Sequence, residues 1–568
     1  MKLLFLLFAS HCALAADLIV HHAKILTADD AFSTHSAMAV EKGRIVKLGG
    51  DAEILALKTP DTKVLDLGGR TVLPGLIDSH VHPSGASMTE FDHPIPVMET
   101  IADVLAYVKA RATVLKEGEW IVLSQVFITR LREQRYPTRA ELDAAAPKNP
   151  VLFRTGPDAS VNTLALQLSG IDRDFKVTNG SGGFAEKDPA TGEPTGILRN
   201  CTGSVKVKSS AKSGTDDERR ARLKALFADY NSSGLTGICD RDASLDSIER
   251  YRALRDAGEL SVRIACSQGV GSTGELAKTV AQIQSIARNP LHTERDEWLR
   301  IIGIKMYLDG GMLTGSAYMR QPWGVSAIYS ITDPAYRGVL FIPRERLLPL
   351  VRAAVGSGLA FTAHSVGDGA VHTLLDVYEE LAKEGLAVRG TRSSLTHSNF
   401  MSAEAVAQAA RLGVMCDIQP AWLYLDTHTL AKQFGNDRLR YFQPLRSLFA
   451  AGVNVGGGSD HMQKIGSMRS VNPYNPFLGM ATAVTRRARH HDQPLHPEEA
   501  LTREQALRFY TINNARLLHC EDRTGSLEAG KLADFIVIDR DFLTCPDADL
   551  AQTQVLQTFL GGREIFRR

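Results

Sequence analysis

Short apolar runs separated by helical stretches recur through the middle of the chain. They are 73–80 LPGLIDSH, 234–240 GLTGICD, 261–268 SVRIACSQ, 301–308 IIGIKMYL, 359–366 LAFTAHSV, 393–399 SSLTHSN, 413–420 GVMCDIQP and 453–460 VNVGGGSD. Each has strand length, and near-continuous apolarity is what a strand covered on both faces shows. The segments between them, such as SLDSIERYRALRDAG, GAVHTLLDVYEELAKEG and EAVAQAARLG, carry apolar residues at three-four spacing, the mark of an amphipathic helix. Eight buried-type strands alternating with helices predict an α/β fold, a (β/α)8 TIM-type barrel.

The rhythm breaks once. Residues 84–233 separate the first two runs, far more than a crossover needs, and contain strand-like WIVLSQ and PVLFRT and helix-like RAELDAAA. They predict an inserted subdomain after strand 1, a lid or wall over the barrel mouth. The two ends of the chain have another texture. Residues 17–73, GSLEAGKLADFIVIDRD and VLQTFLGGREIF alternate apolar and polar positions around glycine turns. Neither end is long enough for a good sandwich alone. The expectation is one small β-sandwich from 16–73 and 520–568, joined to a barrel over 74–519.

Composition narrows the function classes. The chain has 568 residues, 44% hydrophobic, with 65 basic and 64 acidic side chains. That is enough for a large core, and the balanced charge makes no electrostatic case for nucleic acid or an anionic membrane. The first residues, MKLLFLLFASHCALAAD, read as a secretory leader: one Lys, a short apolar stretch and Ala13-Leu14-Ala15 at a cleavage site. Residues 1–15 are therefore expected to be removed and the mature protein to be periplasmic or secreted. The six cysteines beyond Cys12 form no Cys-x-x-Cys pair, so they suggest neither a zinc ribbon nor thioredoxin chemistry, and no bridge is assigned. The expected partners are a small-molecule substrate and a second copy in a homodimer, with no nucleic acid and, once the leader is cleaved, no membrane.

Candidate chemistry gathers at the ends of the predicted strands. VLPGLIDSHVHP places His80 and His82 two apart, so both imidazoles reach one side of a strand. Barrel enzymes carry their chemistry at the carboxyl ends of the strands. Taken in order, those ends also hold Lys305, His364, His397 and Asp460. A lone strand histidine is more often a packed or surface residue than a ligand. The whole set at one end of one barrel suits zinc or a similar divalent ion, which imidazole and carboxylate bind well.

The motifs LPGLIDSHVHP, IKMYLDGG, AHSVGDGAVHTLLDVYE, LTHSNF, GSDH and GSLEAGKLADFIVID, in this order, resemble the amidohydrolase superfamily. The likeness is strongest to its family 3 branch, the metal-dependent hydrolases like N-substituted formamide deformylase. The resemblance implies one or two divalent ions, zinc by preference. His80 and His82 would hold one, His364 and His397 the other, and a carboxylated Lys305 would bridge them. An unmodified Lys305 has no lone pair to donate, and its other reading is a salt bridge, for instance to Asp309. Asp460 would ligate metal and take a proton from the attacking water, while the metal makes hydroxide available near neutral pH and polarises the scissile bond. The implied reaction is hydrolysis of an amide or other non-peptide C–N bond. The alternatives are a deaminase, an ester or lactone hydrolase, or a barrel that binds metal or ligand without catalysis.

Two positions depart from the family's pattern. In RTGPDASVN, Asp158 stands where a histidine is usual, ahead of Asn162; after GEPTGIL, Arg199-Asn200 replaces the usual Arg-Glu. Both lie in the insertion, so Asp158, Asn162, Arg199 and Asn200 are expected to contact substrate, with Asp158 as a helix cap for its alternative. Trp323, Trp422 and Tyr307 can line an apolar pocket or simply pack, and Trp323 is expected among the substrate contacts. GVGSTG (269–274) has dinucleotide-fingerprint spacing, but no acidic residue follows at the expected distance, and it reads as a glycine-rich barrel loop.

Overall fold

The computed structural model of the chain describes residues 16–124, 126–178, 183–208, 212–294 and 296–568. The expected leader at 1–15 lies outside the described residues. Eight strands form one parallel sheet in chain order: β1 Leu76–Val81, β2 Leu235–Ala243, β3 Arg263–Gly269, β4 Leu299–Tyr307, β5 Ala360–Ser365, β6 Ser394–His397, β7 Met415–Ile418 and β8 Val455–Gly457. Beyond β8 the chain meets β1 again. Asp460 N donates to His80 O at 2.8 Å and His82 N to His461 O at 2.8 Å, which all but closes the barrel.

Helices cover the outside for the reason their spacing suggests. The helix Asp368–Lys383 buries Val371, Leu374, Leu375, Tyr378 and Leu381 on one face. The Tyr378 hydroxyl then donates to Phe361 O on β5 at 2.8 Å, fixing helix to sheet. The helix Ala403–Leu412 begins at Ser402, whose hydroxyl accepts the Ala405 N–H, and ends at Gly413 with φ 68. That is an N-cap and a left-handed stop, each supplied by the residue type suited to it.

The run 73–80 does not form a single strand. Thr71–Pro74 belongs to a different sheet, and β1 starts at Leu76. The break is at Gly75, where a Cβ would lie 2.2 Å from Thr236 Oγ1, so only glycine lets the chain pass from one sheet to the other.

The sheet that claims Thr71–Pro74 has six strands, in the order Arg563–Arg567, Val555–Leu560, Phe535–Ile538, Thr71–Pro74, Lys24–Leu26 and Thr34–His35. Phe535–Ile538 pairs antiparallel with Thr71–Pro74, so the two chain ends share one sheet. A four-stranded sheet, Arg44–Gly49, Ala37–Glu41, Leu18–His21 and Lys63–Asp66, packs on it through Val20, Met38, Val72 and Phe535.

The insertion has its own five-stranded sheet: Phe184–Lys187, Pro194–Arg199, Asp158–Val161, Val151–Thr155 and Ile121–Ser124. Its apolar residues Ile121, Leu123 and Phe153 join one core with Met312 and Trp323 after β4 and Trp422 after β7. The insertion is thereby seated on the loops at the carboxyl end of the barrel. Among the described residues no helix is long and apolar enough to cross a membrane.

Candidate metal centre

The period of β1 puts Asp78 and His80 on one side, with His82 following. Asp78 Oδ1 accepts the N–H groups of His80 at 2.9 Å and Ser459 at 3.1 Å, which ties β1 to the turn after β8. That turn brings Asp460 against both histidines: Oδ1 lies 3.2 Å from His82 Nε2 and 3.4 Å from His80 Nε2. Ligand atoms of His80, His82 and Asp460 all lie within 4.8 Å of one another. His364 and His397, from β5 and β6, complete the cluster. The ring centroids of His80 and His397 are 4.8 Å apart and those of His364 and His397 4.6 Å. Asp460 (φ 55) and His397 (φ 74) both hold left-handed backbone, a conformation that surrounding packing must impose on a non-glycine residue.

The ring orientations have visible causes. His80 Nδ1 lies 3.1 Å from Asp417 Oδ1, and His397 Nδ1 lies 2.7 Å from Gln419 Oε1. The Nε2 atom of each is thereby left for the site. His364 is turned the other way, with Nε2 3.3 Å from Gly310 O and Nδ1 left free of that contact. Gln419 Nε2 also donates to Asp417 Oδ1 at 2.9 Å, and Thr396 Oγ1 to Oδ2 at 3.0 Å. Asp417 is therefore itself fixed from two sides, as the outer partner of a ligating histidine should be.

Electrostatics favour the neutral imidazole at His80, His364 and His397. Burial, and then positive neighbours such as Lys305, hold His80 and His397 well below the usual histidine range and bring His364 down to about 3. For His82, burial is outweighed by the hydrogen bond and charge of Asp460, and its pKa rises. Asp460 moves up because burial outweighs the help from His82 and Lys305. His80 Nε2 is buried and has no hydrogen-bond partner among the described residues. An orphaned imidazole nitrogen facing a second imidazole and a carboxylate is a donor set that fits a divalent cation.

Lys305, on β4, is buried in the same cluster, and burial lowers its pKa. Its Nζ lies 5.0 Å from the Tyr307 ring centroid, and no salt bridge to Asp309 forms. Asp309 instead accepts backbone N–H groups from Tyr318, Val366 and Gly367 at 3.0, 2.9 and 2.8 Å, organising the turn after β5.

These residues line a cavity of about 670 Å³ between the barrel and the insertion. Tyr307, Trp422 and Asn200 line it as well, and Trp422 stacks on His397 at 4.7 Å. The glycine-rich loop contributes Ser272 and Thr273.

Four residues expected to contact substrate are held elsewhere. Asp158 is neither in the cavity lining nor a helix cap. It begins a strand, accepts the Asn200 N–H at 2.9 Å and pairs with Arg199 at 3.4 Å. Arg199 is 1% exposed, binds Glu186 Oε1 at 2.7 Å and donates to Thr314 O and Tyr329 O, tying the inserted sheet to the loop after β4. Asn162 is the cap: its side chain accepts N–H groups from Ala165 at 3.1 Å and Val151 at 2.9 Å. Trp323 is buried against Tyr329 and Phe434, and its Nε1 donates to Ala317 O at 2.8 Å.

The sequence reading passed over Asp417, Gln419 and Asp242. Asp417 and Gln419 sit two apart at the end of the run GVMCDIQP, the same polar-in-apolar signal that singled out His80 and His82. Asp242, near the end of β2, lines the cavity and accepts the Tyr307 hydroxyl at 3.0 Å.

The model of the amidohydrolase family matches residues 63–566. The N-substituted formamide deformylase of Arthrobacter pascens is 30% identical over 561 residues, covering 96% of this chain and 97% of that one. Among solved structures, an uncharacterized metal-dependent hydrolase from Pyrococcus horikoshii OT3 superposes with TM-score 0.66 at 20% identity, over 94% of this chain and 99% of that one. Atrazine chlorohydrolase from Arthrobacter aurescens TC1, complexed with zinc, gives TM-score 0.52 at 17% identity over 96% and 94%. These structures share the fold.

Proposed function

Since the chain belongs to the amidohydrolase family, hydrolases of carbon–nitrogen bonds other than peptide bonds, we propose that it cleaves an amide-type C–N bond of a small molecule at a divalent metal centre. The observation that carries this reading is the approach of His80, His82 and Asp460 to within 4.8 Å on the floor of the cavity. His80, His82 and Asp460 would hold one ion, and His364 and His397 a second. We take the ion to be zinc, in line with the donor set and the zinc-bearing chlorohydrolase structure. Lys305 is a candidate for carboxylation. Burial lowers its pKa and so favours the neutral amine that reaction with carbon dioxide requires, and the carbamate formed on loss of a proton would bring the oxygen ligands an ammonium lacks.

When bound, the ion polarises the scissile carbonyl and acidifies the water that attacks it. The chain's own residues do the rest. Asp460 Oδ1, beside the Nε2 atoms of His80 and His82, takes the proton from water and passes it to the leaving nitrogen. Its raised pKa brings it closer to what a general base at neutral pH requires. Asp417 and Gln419 hold the imidazoles in the ring orientation that leaves Nε2 available. The leader-like first residues support export, so the site would work outside the cytoplasm, and cell fractionation tests that part separately.

The test is a screen of the chelated and zinc-reconstituted protein against N-substituted formamides, other N-acyl compounds, cyclic amides and lactones. Turnover of an amide that disappears on chelation and returns with zinc is the expected result. Turnover unaffected by complete metal removal removes the metal centre from the reaction, and turnover of lactones alone moves the bond class.

A further inference from the structure

The inserted sheet supplies the cavity with a charged group that the metal centre does not use. Along Val151–Thr155, Phe153 and Thr155 turn inward while Arg154 is exposed and lines the cavity, near Gly156, Pro157 and Asn200. The guanidinium has no hydrogen-bond or ion-pair partner among the described residues. The acids that share the lining are already engaged. Asp460 faces His80 and His82, Asp242 accepts the Tyr307 hydroxyl, and Asp309 takes its three backbone N–H groups. Among the described residues of the lining, the other Lys or Arg side chain is Lys305, buried with the four histidines at the metal centre. Arg154 therefore stands as a cation without a direct partner on the inserted wall, across a lining that also includes Phe127, Met312, Leu313, Trp422 and Met462.

A planar guanidinium with all its donors free matches a carboxylate in two parallel hydrogen bonds. We propose that Arg154 anchors an acid group of the substrate, so that the preferred substrates are amides carrying a carboxylate on an apolar body, away from the bond being cut. The proposal rests on the hydrolase reading above for the position of the scissile bond. Specificity would then come from the insertion, through Arg154 rather than through Asp158 or Arg199, whose charges are spent on each other.

The test compares N-formyl and N-acetyl derivatives of para-(aminomethyl)benzoate with those of para-(aminomethyl)benzamide, which keep the shape and lose the charge. The zinc-reconstituted wild type should prefer the benzoates. Arg154→Gln should lower kcat/KM on the benzoates by about 10- to 100-fold, mainly through KM, and leave the benzamides within about twofold. Arg154→Lys should restore part of the preference, since it keeps the charge and loses the fork. Arg154 is exposed, so neither variant is expected to unfold, and a melting curve checks this. Equal rates on both series in the wild type, or a preference that survives in Arg154→Gln, overturns the proposal and leaves the hydrolase reading intact. If the wild type cleaves none of these amides, the hydrolase reading fails for this class and binding decides on Arg154. Calorimetric titration with para-toluate and para-toluamide should then show tighter benzoate binding that the Gln variant loses. An unchanged difference between the two ligands overturns the anchor.

Discussion

The rim of the barrel and the inserted sheet both bury polar residues, and they do so to opposite ends. At the rim, His80, His364, His397 and Asp460 leave the ends of separate strands and face one another across a cavity. In the inserted sheet, Asp158, Arg199 and Asn162 turn into the protein and satisfy fixed backbone and side-chain partners. The difference lies in what the backbone leaves over. A nearly closed parallel barrel satisfies most of its backbone groups within the sheet, so a polar side chain at a strand end is free for chemistry. A small, irregular sheet has turns, a helix start and a contact with a neighbouring loop to satisfy, and its polar side chains are taken up by those tasks.

The comparison is tested most strongly by Asp460→Asn. The side chain keeps its shape and loses its proton acceptor, so turnover should fall by about 10²–10⁴-fold with substrate binding little changed. Metal content must be measured alongside, because a rate loss that tracks metal loss would make Asp460 a ligand only.

Arg199→Met probes the other region. It strands the buried Asp158 and the half-buried Glu186 and removes the tie to Thr314 and Tyr329. Breaking a buried charge network of this kind costs about 3–5 kcal/mol, which chemical denaturation will read. A variant as stable as wild type but altered in substrate preference would return Arg199 to the pocket.

Asp417→Asn lies between the two, a residue of the barrel that acts through another. Loss of the carboxylate behind His80 should weaken metal affinity by about 10- to 100-fold, measured by competition with a chelator. Unchanged affinity would mean that packing alone orients His80.

The smallest effect is on pH. The folded His364 is brought down to about 3, against an ordinary value near 6.5. Below pH 6.5 the unfolded chain takes up a proton that the folded metal-free protein refuses. Stability is therefore full above that value and falls as the pH drops towards 3. At pH 5.5 such a histidine costs about 1 kcal/mol. Urea midpoints of metal-free protein that do not move between pH 7.5 and 5.5 would contradict the burial of a neutral imidazole.

The barrel and its chemistry could be read from sequence because they repeat. Apolar runs ending in His80, Lys305, His364, His397 or Asp460 announce themselves against the helices between them. Asp417 and Gln419 carry the same signal, two polar residues closing the apolar run GVMCDIQP. Trp323 and Trp422 could not be told apart at all. Both are aromatic residues beyond strand ends, yet one stacks on His397 and the other is buried against Phe434.

What the sequence determined alone was the order of elements, the pairing of the two chain ends in one β-sandwich, and the residues that the barrel rim gathers. These follow from local periodicity and from a connection rule that admits one arrangement of alternating parallel strands. The tertiary structure alone decided which polar residues of the insertion face the cavity. Whether Arg154 or Arg199 meets solvent depends on how the inserted sheet sits against the loop after β4, and that is set by contacts across long separations, such as Arg199 with Thr314 and Tyr329. A charged residue in a short strand carries no local mark of the partner that will neutralise it.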